Sequence, residues 1–153
     1  MVANLLWPAV LLLLCVGCRT VSTLPPADFS GPGWKVQSGQ AVWHPPGDRP
    51  ELAGDLLLAT NVDGSCFIQF SKVPFPVVTA RISGDQWRIE FGANEHTWQG
   101  AGVPPDHFAW FQLPRALLGA NPPGTWHFAS PAGQAWRLEN PRTGESLEGA
   151  FSP

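Results

Sequence analysis

No tyrosine occurs among the 153 residues, and charged side chains make up only 14% of them. Lys and Arg number nine against twelve Asp and Glu, a net charge of −3, and the basic residues stand singly along the chain. That pattern excludes nucleic acid as a partner, because phosphate binding needs a concentrated positive surface. The longest apolar run, residues 5–16, falls well short of the roughly 20 residues a spanning helix needs. The motifs of common catalytic sites are missing too: there is no His-Glu-x-x-His, no Gly-x-Ser-x-Gly, no P-loop and no dinucleotide glycine pattern. The four histidines, His44, His96, His107 and His127, are dispersed with no metal-ligand spacing, so no metal or other cofactor is expected. Glu90 and Glu95 read as a solvated hairpin end more readily than as an acid-base pair. What the chain has instead is eight Trp and nine Phe. Such a bias either packs a dense core or lines an apolar cavity.

The N-terminus carries the most specific signal. The run Leu11-Leu12-Leu13-Leu14-Cys15-Val16-Gly17-Cys18 resembles a bacterial lipoprotein signal, in which the cysteine after a small residue is lipidated and becomes the first mature residue. The resemblance implies a signal peptide over residues 1–17 and acyl chains on Cys18. With Arg19 rather than aspartate next, it implies an outer-membrane anchor facing the periplasm. An ordinary secretory peptide cut near Gly17 is the plainer alternative. Under the lipoprotein reading Cys15 is removed and Cys18 is modified, which leaves Cys66 without an intramolecular partner and excludes a disulfide framework or thiolate metal site. Residues 18–33, rich in Pro, Ser and Gly, read as a flexible tether, and residues 34–153 as one domain.

Within that domain, short segments alternate apolar and polar residues between turn signals, as half-buried strands do. They fall at 34–44, 51–60, 65–71, 77–83, 86–91, 96–99, 125–129, 135–140 and 146–151. Asp63-Gly64 fits a tight hairpin, since such turns need a residue with positive φ. The pair flanking Gly84-Asp85 is the clearest hairpin of all, with Trp87, Ile89 and Phe91 alternating against Arg88 and Glu90. So many short strands imply a strongly curved antiparallel sheet that must close, curl or pack to hide its edges. One stretch differs. Asp106 is a candidate N-cap for a short helical turn through Phe108, Ala109, Trp110 and Phe111, with a second turn from Pro114 to Leu118 stopped by Gly119. Between strands lies the apolar connection Val73-Pro74-Phe75-Pro76, whose prolines oppose regular pairing and leave Val73 and Phe75 either protruding or folded into the core.

Phe67-Ile68-Gln69-Phe70, the apolar loop, the Gly84-Asp85 hairpin, the helical Leu113 to Gly119 and the late Leu138-Glu139-Asn140-Pro141-Arg142-Thr143-Gly144-Glu145 together resemble the LolA/LolB superfamily. The resemblance implies a mainly β fold: a half-barrel antiparallel sheet whose concave face is covered by a short broken helical segment and holds acyl chains. It also makes Val73 and Phe75 a membrane-contact loop. The residues expected to line the ligand cavity are Trp87, Ile89, Phe91, Trp98, Phe108, Phe111 and Leu117.

The first functional expectation is therefore a monomeric, non-enzymatic lipoprotein that binds membrane lipid or lipoprotein acyl chains. Its rival is a structural lipoprotein with a closed aromatic core that docks a periplasmic envelope partner. A hydrolase using Cys66 or a histidine is the third class, although Cys66 sits in an alternating apolar strand where a buried free thiol is common. An apolar cavity of several hundred Å³ beneath the helical segment is what the first expectation requires and the second excludes.

Overall fold

The computed structural model describes residues 27–92, 96–131 and 134–153; the signal segment, Cys18, Glu95 and most of the expected tether lie outside the described residues. Nine strands form one antiparallel sheet: β1 (Trp34–His44), β2 (Leu52–Asn61), β3 (Cys66–Lys72), β4 (Phe75–Ser83), β5 (Gln86–Phe91), β6 (His96–Ala101), β7 (His127–Ala129), β8 (Ala135–Asn140) and β9 (Glu145–Phe151). One helix, α1 (Ala109–Leu117), interrupts them between β6 and β7. The strand order is β6-β5-β4-β3-β2-β1-β9-β8-β7, so the sheet is open, with β6 and β7 at its edges. The first six strands walk from the middle to one edge. The segment holding α1 then carries the chain to the opposite edge, from which β7, β8 and β9 walk back to β1.

Register explains which side chains share a face, because residues paired across strands point the same way. Trp43 lies opposite Leu147, Leu56 opposite Phe70, Phe70 opposite Val78, Ala80 opposite Ile89, and Leu138 opposite Leu147. All of these belong to the buried core, which α1 completes with Ala109, Trp110, Phe111 and Leu113. The helix touches β3 and β4 on one side and β8 and β9 on the other. On the outer face the alternation delivers charge: Arg88 pairs with Glu90, and Arg137 with both Glu139 and Glu148. Phe29 packs beside Trp34 and Phe67, each ring pair 5.2 Å apart, so the packed part of the chain reaches back into the stretch expected to be tether.

Three local features differ from expectation. The helix is continuous, with Pro114 inside it rather than starting a second turn. Proline there removes the hydrogen bond to the Trp110 carbonyl at a cost of about 3 kcal/mol. Complete burial of Trp110, Phe111 and Leu113 offsets it, since one large core side chain contributes about 1.5–3 kcal/mol. Phe108, not Asp106, occupies the N-cap position and makes no side-chain cap, its ring having no acceptor to offer, while the backbone carbonyl of Asp106 accepts a 2.7 Å bond from the indole of Trp126. Pro76 does pair: a register shift between Phe70 and Ser71 places it opposite Ser71, and the strand resumes at Phe75 after a two-residue turn. At the other hairpins the expectations hold, with Gly64 at φ 88° after Val62 and Asp63.

Where β9 crosses β1, backbone and indole meet. A Cβ at Gly149 would collide with the carbonyl of Gln40 and lie 2.8 Å from the ring of Trp136. Gly149→Val is therefore expected to destabilise the fold by about 2 kcal/mol or more, read as a lower urea midpoint with an unchanged slope.

Candidate functional site

β1 ends and β9 begins at the same end of the sheet, and there the inner face carries a polar pair. Trp43 stands opposite Leu147, and Glu145, two residues before Leu147, shares that face. The indole Nε1 of Trp43 donates a 3.0 Å hydrogen bond to Oε1 of Glu145. Both side chains are buried. Burial pushes the Glu145 carboxyl up to about 7, against the lowering effects of the Trp43 bond and the nearby positive charge of Arg49.

Glu145 lies against a cleft of about 570 Å³. Its apolar walls are Trp43, Phe91, Trp98 and Phe108, with Pro46 beside them, and Arg49, His96 and His107 complete its lining. The rings form a connected set: Trp43 to Phe91 is 6.0 Å, Phe91 to Trp98 5.6 Å, Phe91 to Phe108 6.2 Å and Trp98 to Phe108 5.8 Å. Edge-to-face and tilted arrangements of this kind add about 0.5–1.5 kcal/mol per pair beyond burial. The walls are thus firm, and Trp98 is still 44% exposed. Two larger and more open hollows, about 700 and 650 Å³, run along β1, β2 and β9, where glycines leave much of the lining to strand backbone.

Of the residues expected at a ligand cavity, Phe91, Trp98 and Phe108 line the cleft. Ile89 and Phe111 do not: both are fully buried between helix and sheet. Trp87 packs edge-on against Phe111 at 5.8 Å, and Leu117 is a partly buried neighbour of the core. The space beneath the helix is filled by Trp110, Phe111 and Leu113, each at most 1% exposed, so the cavity expected there is replaced by a cleft beside the residues leading into the helix. Val73 and Phe75 are 78% and 72% exposed, and neither is folded into the core. Their turn joins β3 to β4 at the end of the sheet where β1 finishes and β9 starts.

The reading from sequence missed Trp43, Arg49 and Glu145 as parts of one site. The signal available was an acid on the same parity as Leu147 and Phe151, which are inner-face residues of β9. Among the described residues no three His, Cys, Asp or Glu side chains gather as a metal site. No helix among them is long and apolar enough to cross a membrane. Cys66 pairs with Thr60 and Ile82 at the far end of the sheet from His44, His96 and His127. Burial pushes its thiol up to about 12, partly opposed by a backbone hydrogen bond with Ile82. No protein-family model matches the chain, and no curated protein does either.

Two outcomes follow from these titrations. The folded Glu145 carboxyl protonates at about 7 against 4.5 for an unperturbed one, so between those values the native state holds the extra proton. Stability should therefore fall as pH rises from 4.5 to about 7 and then level, and Glu145→Gln should flatten that slope in denaturation curves taken across the range. Cys66 in the folded chain should alkylate with iodoacetamide about a hundredfold or more slowly than in urea, as peptide mapping will read.

Proposed function

We propose that this chain is a non-enzymatic, lipid-anchored protein of the bacterial outer membrane that accepts acyl chains, with a LolB-like half-barrel as its binding body. The observation that carries the reading is the placement of the aromatic-walled cleft at the same end of the sheet as the exposed apolar turn of Val73 and Phe75. Its volume, about 570 Å³, falls in the range of small-molecule sites, about 300–1,000 Å³. An acyl chain leaving a membrane needs an apolar surface to cross and an apolar site to reach, and burial at about 25 cal/mol per Å² supplies the attraction without polar specificity.

Curvature is supported by a distance. β1 and β5 are four places apart in strand order, which in a flat sheet is about 19 Å. Yet the rings of Trp43 and Phe91 are 6.0 Å apart. The burial of every residue from Ala109 to Leu113 points the same way, since a helix lying on a flat sheet keeps one side open. Anchoring through Cys18 rests on the signal-like run and lies outside the described residues.

The space under α1 is filled where the acyl-binding expectation required a cavity, which favours the rival, an envelope lipoprotein with a closed core and a protein partner; the acyl reading rests instead on the cleft beside Phe108. Acyl-probe binding separates the two. The full chain should bind a fluorescent fatty acyl probe, and Trp98→Ala should weaken that binding by about tenfold through lost apolar burial. Phe75→Glu should leave binding and stability nearly unchanged, within about 0.5 kcal/mol, while slowing transfer of the probe to lipid vesicles. No binding of the probe overturns the reading in favour of its rival, and unchanged transfer removes the turn from the mechanism.

A further inference from the structure

The charges around the cleft are not distributed as the rest of the chain leads one to expect. Over the whole sequence acids outnumber bases. Among the described residues the cleft is lined by one guanidinium, Arg49, and two imidazoles, His96 and His107, all three side chains exposed, and the one carboxyl in its lining is the buried Glu145. Arg88 and Arg137 on the outer face each hold a carboxylate, whereas Arg49 has no ion pair among the described residues. The opposite charge nearest in kind is Glu145, which burial drives toward its neutral form and whose Oε1 already receives the Trp43 indole. His96 and His107 are steadied by ring contacts, His96 with Trp98 at 5.7 Å and His107 with Phe108 at 4.1 Å. The exposed donors of Arg49, His96 and His107 beside the rings of Phe91, Trp98 and Phe108 make a site with both polar and apolar walls.

Resting on the acyl-binding reading, we infer that the cleft selects an amphiphile with an anionic head. Its chain lies against Phe91, Trp98 and Phe108, and its carboxylate or phosphate sits at the mouth beside Arg49, His96 and His107. A guanidinium matches either anion through two parallel N–H donors, and imidazole N–H groups extend the set. The same aromatic rings could enclose an ammonium head. Arg49 stands against that, because a cationic head placed near Glu145 would share its space with a guanidinium and face a carboxyl that burial leaves only about half ionised at pH 7.

The test is calorimetric titration of the full chain at pH 7 with four twelve-carbon amphiphiles below their micelle concentrations: dodecanoate, dodecyl phosphate, dodecanol and dodecyltrimethylammonium. At least one anion should bind about tenfold or more tightly than dodecanol, and Arg49→Ala should erase most of that advantage while Arg49→Lys retains part of it. Which anion binds tighter separates a free fatty acid from a phospholipid-type head as the source. Equal affinity for dodecanol, or tighter binding of the ammonium, overturns the anionic head and leaves acyl binding standing. Failure of all four to bind overturns the acyl reading and this inference together. Arg49 lies on an exposed connection between β1 and β2, so its variants are expected to fold, which the thermal midpoint of each will check.

Discussion

Trp43 is the side chain on which the rest of the arrangement depends. Its indole nitrogen satisfies the buried Glu145, and its ring meets Phe70 at 6.4 Å, Phe91 at 6.0 Å and Trp110 at 5.3 Å. One residue of β1 therefore joins β9 through a hydrogen bond, β3 and β5 through ring contacts, and the helix through an edge-to-face pair. Phenylalanine in its place could keep much of the packing but would strand the carboxyl. An unpaired buried polar group costs about 1–3 kcal/mol, more if charged. The hydrogen bond and the packing are coupled, because the indole can donate to Glu145 only while the neighbouring rings hold its plane.

The chain path gives this hub its importance. The segment from β6 to β7 must cross from one edge of the sheet to the other, and the helix within it is the means. Crossing the face of a wide sheet exposes a helix unless the crossing side chains are large and the sheet supplies matching depth. Trp110 and Phe111 are such side chains, and Phe70 at 5.3 Å from Trp110 is the matching surface. Where they pack, no space is left for a ligand. Where the crossing chain is still approaching the helix, at His107 and Phe108, the packing is incomplete and the cleft remains.

Much of this architecture was legible in the sequence, because period-two alternation reports which residues share a face, and turn residues report where strands stop. The ranges 34–44, 86–91 and 135–140 read from alternation coincide with β1, β5 and β8. Alternation says nothing about which distant strands approach each other, and so Trp43 was legible as an aromatic on a strand but not as the neighbour of Phe91. Glu145 was hidden for a related reason: Pro141, Thr143 and Gly144 make its surroundings look like a solvated turn, and only the β1–β9 register places it beside an indole. The helix start was misplaced because Asp106 has the chemistry of an N-cap, while the helix begins at Ala109 behind Phe108, which has no capping group, and its first residues are buried in the core. Local capping preference lost there to the burial of the apolar residues that follow.

Position along the strands links the cleft to the proposed membrane surface. Antiparallel register puts the β1–β2 connection with Arg49, the β3–β4 turn with Val73 and Phe75, and the start of β6 with His96 at one end of the sheet. Under the acyl-binding reading that end faces lipid, and the order of groups has a physical sense. Exposed apolar side chains at a turn can enter the interfacial region, where basic groups nearby meet anionic heads. A chain drawn from the lipid would then pass from one apolar environment to another, with its head never leaving polar contact. A cleft at the opposite end, near Cys66, would require the same chain to travel the full length of the strands through water, at about 0.8 kcal/mol for each methylene exposed. The economy of the arrangement lies in putting the apolar turn, the basic rim and the aromatic walls at one end.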